Sequence, residues 1–138
     1  YISICIMKIK SSQELVAEAM LKIETLEPNI AKELWEKNQC TLIDIRDIRE
    51  IWKEGTVKES MHIPRGMLEF WLDPTSPYYK PEKFGETKKI VLFCAAGLRS
   101  ALATKSLNDM GYKNVAHVRE GFGGLKRAGA KIEEKEKK

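Results

Sequence analysis

Two compact apolar runs, Thr41–Ile45 and Lys89–Phe93, constrain the fold more than any other feature of the chain. A strand with one wet face alternates polar and apolar residues. A run that does not alternate belongs to a strand covered on both faces, as in parallel sheets. Helical signals lie around these runs. Ser11-Ser12-Gln13-Glu14 has the form of a capping box, and Leu15, Ala19, Met20 and Ile23 follow at near-helical spacing, which predicts a helix over 12–22. A short extended piece is expected at Ile23–Leu26. Pro28 then suits the first turn of a second helix whose apolar face is Ile30, Ala31, Leu34 and Trp35. Further along, the pattern predicts a short helix over 47–53 ending near Gly55, a brief strand Met61–Ile63 stopped by Pro64, and a helical turn over Gly66–Leu72. Residues 99–110 read as a helix stopped by Gly111, Val115–Val118 as a last strand and 122–128 as a last helix. Strands alternating with helices predict an α/β fold, a mainly parallel central sheet flanked by helices. Asp73–Thr87, rich in Pro, Tyr, Lys and Gly, reads as a long surface loop, and loops of that length are more often functional than idle.

The 138 residues allow one core. They divide into an N-terminal extension with a helix (1–22), the domain proper (23–130) and a charged C-terminal tail (131–138), whose alternating Lys and Glu read as a solvated, frayed end. No apolar stretch approaches the roughly 20 residues needed to cross a bilayer, so no membrane association is expected. Tyr1–Ile6 are apolar, but Lys8 and Lys10 follow at once without a small-residue cleavage site, which argues against a secretory signal. The chain opens on Tyr1, and Met7 is expected nearer the native start. The net charge of +4 owes much to the tail, and no basic stripe with interleaved aromatics is present, so no nucleic-acid partner is expected. A mildly cationic surface does favour small anionic substrates. Cys5, Cys40 and Cys94 are scattered and odd in number, which points to a reducing, cytoplasmic compartment rather than a disulfide framework. With no C-x-x-C, and with His62 and His117 standing alone, neither a metal site nor a cofactor is expected.

The chemistry is expected at Cys94-Ala95-Ala96-Gly97-Leu98-Arg99-Ser100. Cys94 ends a central strand, where open α/β sheets place ligands. The small, Gly-containing loop after it leads into a helix and can turn backbone N–H groups inward as an anion-binding nest. The same field acts on the sulfur. A free thiol titrates near about 8.5, and helix N-termini or nearby cations lower that value, so Cys94 is expected as a thiolate nucleophile. Arg99 adds a permanent charge with a planar fork of donors suited to an oxyanion, and Ser100 is placed to cap the helix or to donate to bound sulfur. A cysteine ending a buried strand is ordinarily a small hydrophobe, the reading given to Cys5 and Cys40. The residues alone lead as far as a reactive cysteine that binds anions.

The run C-A-A-G-L-R-S followed by Ala101-Leu102-Ala103 resembles the active-site loop of single-domain rhodaneses. Leu42-Ile43-Asp44-Ile45-Arg46 with Glu50, Gly55 through His62-Ile63-Pro64, and Met110-Gly111-Tyr112-Lys113-Asn114-Val115 with Gly121 and Phe122 resemble three further blocks of that family, in family order over about residues 23–130. The preceding helix and the run from Pro64 to Trp71 are similar to a bacterial subgroup. Departures fall at Gly55-Thr56-Val57 and Glu59-Ser60, and at Glu120-Gly121 and Leu125, where the family usually has a Gly pair and a later Trp. They bear on turn geometry and are expected to leave the cysteine untouched. The resemblance implies a sulfurtransferase that moves a sulfane sulfur from a small anionic donor such as thiosulfate to a thiophilic acceptor, cyanide or a thiol, in some cases on an acceptor protein. Cys94 would carry the persulfide, and Ala95, Ala96, Gly97, Leu98, Arg99 and Ser100 would bind substrate. Asp44, Arg46 and Glu50 read as a salt-bridged structural network rather than proton donors, and His62 as a packed turn residue. Phe70, Trp71, Tyr78 and Tyr79 fit either a pocket wall or core packing.

Two rivals stand beside this reading. Phosphatases and arsenate reductases also use a Cys–Arg anion loop, with five residues between the two, whereas Cys94 and Arg99 enclose four. A shorter loop makes a smaller nest, better matched to one sulfur atom than to a phosphoryl group. Non-catalytic rhodanese-like interaction modules often lack the cysteine, which this chain retains.

Overall fold

The computed structural model describes residues 9–84 and 88–137. Cys5 and the N-terminal apolar run lie outside the described residues. In chain order the elements are α1 (Ser12–Met20), β1 (Glu24–Leu26), α2 (Pro28–Glu36), β2 (Cys40–Asp44), α3 (Ile48–Glu54), β3 (Thr56–Val57), β4 (Met61–His62), α4 (Leu68–Trp71), α5 (Pro81–Phe84), β5 (Lys89–Phe93), α6 (Leu98–Met110), β6 (Val115–Val118), α7 (Gly121–Arg127) and β7 (Ile132–Glu133). A 3-10 turn at Arg65–Met67 leads into α4.

Five strands form one sheet in the order β1-β6-β5-β2-β4, every pair parallel. The two apolar runs pair along their length, from Cys40 opposite Lys89 to Asp44 opposite Phe93. Period-2 alternation then splits them between two cores. Ile43, Ile90 and Leu92 face α6 and α4 through Ala103, Leu107 and Leu68, while Leu42, Val91 and Phe93 face α2 and α7 through Ala31, Phe122 and Leu125. This double burial is why the runs carry no polar alternation. Helix α1 packs on the outside of α6.

Three readings are modified. The charged tail is not wholly frayed: Ile132–Glu133 pairs antiparallel with Thr56–Val57, and Ile132 packs on the α2 side of the sheet. The stretch read as a loop from Asp73 contains the one-turn helix α5, whose buried Phe84 anchors it in the core. The reciprocal capping box forms at Asp47 and Glu50 rather than at Ser11, where only the Glu14 N–H to Ser11 Oγ half is made at 3.1 Å. No described helix is long and apolar enough to cross a membrane.

Candidate active site

Cys94 leaves the C-terminal end of β5, and its side chain is 1% exposed. The chain turns through Ala95 and Ala96 to Gly97, whose φ of 97° lies in the left-handed region that favours glycine, and α6 starts at once. Gly97 is the N-cap and has no side chain to offer the first turn. The sulfur takes that place: Sγ accepts from the N–H of Gly97 at 3.2 Å and from the N–H of Ser100 at 3.3 Å. Ser100 is therefore not the cap. Its N–H faces the sulfur, and its hydroxyl oxygen lies 3.5 Å from Sγ. Two donors at a helix N-terminus favour negative charge on the atom between them.

The loop is held from behind by α7. The N–H of Phe122 donates to the carbonyl of Cys94 at 2.8 Å, and that of Gly123 to Ala95 at 3.5 Å. A Cβ on Gly121 would stand 2.3 Å from the Cys94 carbonyl oxygen, so the approach requires glycine. Glu120, at a position where the resembled family usually has Gly, adopts φ 62°. The closing turn, where departures from the resembled family were expected to bear on turn geometry alone, forms one wall of the cysteine loop.

Arg99 is half-exposed at the rim, and Glu50 grips it with two hydrogen bonds of 2.8 and 2.9 Å. The pairing holds the Glu50 carboxyl below the usual carboxylate range and raises the Arg99 guanidinium further. Two of the guanidinium's five donors are committed to Glu50, and the rest can serve an anion. Leu98 beside it is 61% exposed, an apolar lip on a charged rim.

The expected network of Asp44, Arg46 and Glu50 is two separate structures. Asp44 and Arg46 are fully buried and joined by contacts of 2.8 to 3.2 Å, with Thr56 donating to Asp44 at 2.7 Å and Arg46 to the Gly55 carbonyl at 2.7 Å. The Arg46 guanidinium also lies 4.1 Å from the centre of the Phe122 ring, so it braces the helix that holds the cysteine loop. Glu50 instead joins the site through Arg99. His62 is a half-buried strand residue rather than the packed turn residue expected: it lies on β4 opposite Asp44, and its Nε2 meets the Arg46 carbonyl at 2.8 Å. Trp71 and Tyr79 pack against the core, while Phe70 and Tyr78 are exposed. Among the described residues no group of three or more His, Cys, Asp or Glu could hold a metal ion.

Sequence reasoning missed His117 and Thr25. His117, 1% exposed on β6, places Nδ1 2.8 Å from Ser100 Oγ and Nε2 3.0 Å from Thr25 Oγ1. The available signal was a single histidine in a strand beside the one ending in Cys94.

Comparison with known proteins agrees with this geometry. A solved structure from Rhodopseudomonas palustris, described as a protein of unknown function and possible tyrosine phosphatase, is 48% identical, covers 90% of this chain and 95% of its own, and superposes with a TM-score of 0.84. The polysulfide-sulfur transferase homodimer of Wolinella succinogenes is 30% identical over 87% of this chain and 85% of its own, with a TM-score of 0.67. A tRNA uridine(34) hydroxylase of Prochlorococcus marinus (strain MIT 9312) is 34% identical over 126 residues, which is 84% of this chain and 40% of that protein. The chain therefore spans well under half the length of the hydroxylases it matches. The model of the rhodanese-like domain matches residues 27–128, from the start of α2 to the end of α7, and with the cysteine loop between β5 and α6 this places the chain in the rhodanese-like family.

Proposed function

We propose that the chain is a sulfurtransferase that carries a sulfane sulfur on Cys94. The observation that carries this reading is the sulfur itself, seated at the floor of the loop with the Gly97 and Ser100 N–H groups pointing at it. With thiosulfate as donor, the Cys94 thiolate attacks the outer sulfur, a new S–S bond forms, the old one breaks, and sulfite leaves with its electron pair. Cyanide or a thiolate then attacks the outer sulfur of the persulfide and releases the Cys94 thiolate as thiocyanate or a new persulfide departs. Backbone donors already in place stabilise the charge at both stages without reorganisation. Arg99 steers the anionic donor, and the acceptor, a small thiol or a thiol on a protein, would approach over the rim where Leu98 is 61% exposed. Unpaired Cys40 and Cys94 support a reducing, cytoplasmic setting.

The Rhodopseudomonas structure, described as a possible tyrosine phosphatase, favours a second reading, phosphoryl transfer from the same cysteine. The four residues between Cys94 and Arg99 and the commitment of Arg99 to Glu50 weigh against it. Uridine hydroxylation, the activity named for the Prochlorococcus protein, belongs to a protein of which this chain matches 40%, and nothing in the sulfur cradle favours it.

Intact-mass spectrometry tests the proposal. Incubation with thiosulfate is expected to add one sulfur atom, cyanide to remove it, and Cys94→Ser to abolish both. Uptake by Cys94→Ser at the wild-type rate would overturn the assignment. Faster hydrolysis of an aryl phosphate than sulfur transfer would decide for the second reading.

A further inference from the structure

Behind the sulfur runs an unbroken line of polar atoms that the transfer steps do not use. Cys94 Sγ lies 3.5 Å from Ser100 Oγ, Ser100 Oγ 2.8 Å from His117 Nδ1, His117 Nε2 3.0 Å from Thr25 Oγ1, and Thr25 Oγ1 3.7 Å from Met20 Sδ. The line passes from α6 through β6 and β1 to the end of α1. Thr25 and Met20 precede residues 27–128, the part matched by the family, so the far end lies in the segment ahead of it.

Burial pushes the His117 imidazole down to about 4, so the ring is neutral over the working range and carries a single N–H. Which nitrogen holds it fixes every bond in the line. With the proton on Nε2, the ring donates to Thr25, Nδ1 accepts the Ser100 hydroxyl, and the Ser100 oxygen accepts from a Cys94 thiol. With the proton on Nδ1, the ring donates to the Ser100 oxygen, the Ser100 hydroxyl points at the sulfur, and Thr25 donates to Nε2. The first arrangement satisfies a thiol and the second a thiolate.

We propose that His117, held by Thr25, is a positioning residue that turns the Ser100 hydroxyl toward the Cys94 sulfur when that sulfur is charged and away when it is protonated. The two arrangements interconvert with protons balanced. The sulfur's proton passes to the Ser100 oxygen, that of Ser100 to Nδ1, that of Nε2 to the Thr25 oxygen, and the Thr25 hydroxyl proton to water at this half-buried residue, while the electron pair stays on sulfur. The charged arrangement gains more from His117, because a hydrogen bond to an ionised acceptor is about twice as strong and is strengthened by the bond behind it. The relay serves the sulfur chemistry proposed above, but its test does not depend on that chemistry.

The test is the rate of Cys94 alkylation by iodoacetamide against pH, read by mass at that residue. The charged groups around the site are Arg99 with its partner Glu50 on α3, Asp44 at the end of β2 with its partner Arg46, and Arg119 beyond β6 with its partner Glu27, and all are retained in every variant. Ser100→Ala removes the hydroxyl. His117→Asn places an amide where Nδ1 stands, able to give and take from Ser100, whereas His117→Gln places it where Nε2 stands, reaching Thr25 alone. The midpoint is expected to rise by about one pH unit, a tenfold change, in Ser100→Ala and His117→Gln, and to stay at the wild-type value in His117→Asn. Equal midpoints for the Asn and Gln variants would reduce His117 to a structural role and overturn the proposal. So would an unmoved Ser100→Ala. Loss of sulfur uptake with this pattern intact would sink the sulfurtransferase reading and leave the relay standing.

Discussion

Glu50 carries two roles at once, closing the capping box of α3 at the Asp47 N–H, 3.0 Å away, and holding Arg99 by both oxygens. Glu50→Gln keeps the first, because an amide oxygen still accepts, and removes the charge from the second. The freed Arg99 is expected to lower the KM for thiosulfate several-fold in steady-state assays with little change in kcat. With both groups partly exposed, stability should fall by no more than about 1 kcal/mol. His117 makes a different demand. Its imidazole is depressed from 6.5 to about 4 by burial, so in that interval the unfolded chain binds a proton that the folded chain refuses. Stability is therefore fully present above about 6.5 and is lost as pH falls toward 4, by up to about 3 kcal/mol. Denaturant titrations across this window should show the slope in wild type and a smaller one in His117→Asn. An identical slope would mean that the histidine is not buried neutral.

At the scale of elements, α7 works as a clamp, its first residues lying against the peptide that carries Cys94. Gly121→Ala sets a methyl 2.3 Å from the Cys94 carbonyl oxygen at a backbone φ of 52°. The cost is about 1–3 kcal/mol, and Cys94 alkylation and sulfur uptake are expected to fall at least tenfold as the loop shifts. Unchanged reactivity would show that the loop holds its form without the clamp. This contact also marks the limit of what the sequence discloses. The strands around the cysteine were legible because burial on both faces writes itself as a contiguous apolar run, and the loop was legible because Cys94 to Ser100 is contiguous too. Thr25, Glu50, His117 and Gly121 reach the site from β1, α3, β6 and the start of α7, and only the strand order and helix docking bring them together. Strands as short as Thr56–Val57 and Ile132–Glu133 carry no period, so the pairing of the tail was invisible for the same reason.

For the whole molecule, that pairing ties the end of the chain back across the domain on the side away from α6. Removing residues 131–138 leaves β3 unpaired and strips Ile132 from the core it partly covers. The urea midpoint is expected to fall by the equivalent of about 1–2 kcal/mol while Cys94 alkylation proceeds at its normal rate, since the tail strand pairs with β3 rather than with the cysteine loop. Parallel strands also sort the two described cysteines to opposite ends of the neighbouring strands β2 and β5. Cys40 opens β2 opposite Lys89, five residues and about 17 Å before Cys94, and burial pushes its thiol up to about 11. Neither reach nor acidity lets it attack an oxidised partner. When peroxide converts Cys94 to a sulfenic acid, no internal disulfide with Cys40 can intercept the next oxidation, so rescue depends on a thiol from outside the domain. On the proposed function, the sulfur cargo would double as armour: the outer sulfur of a persulfide is the atom that oxidants meet first, and a reductant can cut it away to return the cysteine intact.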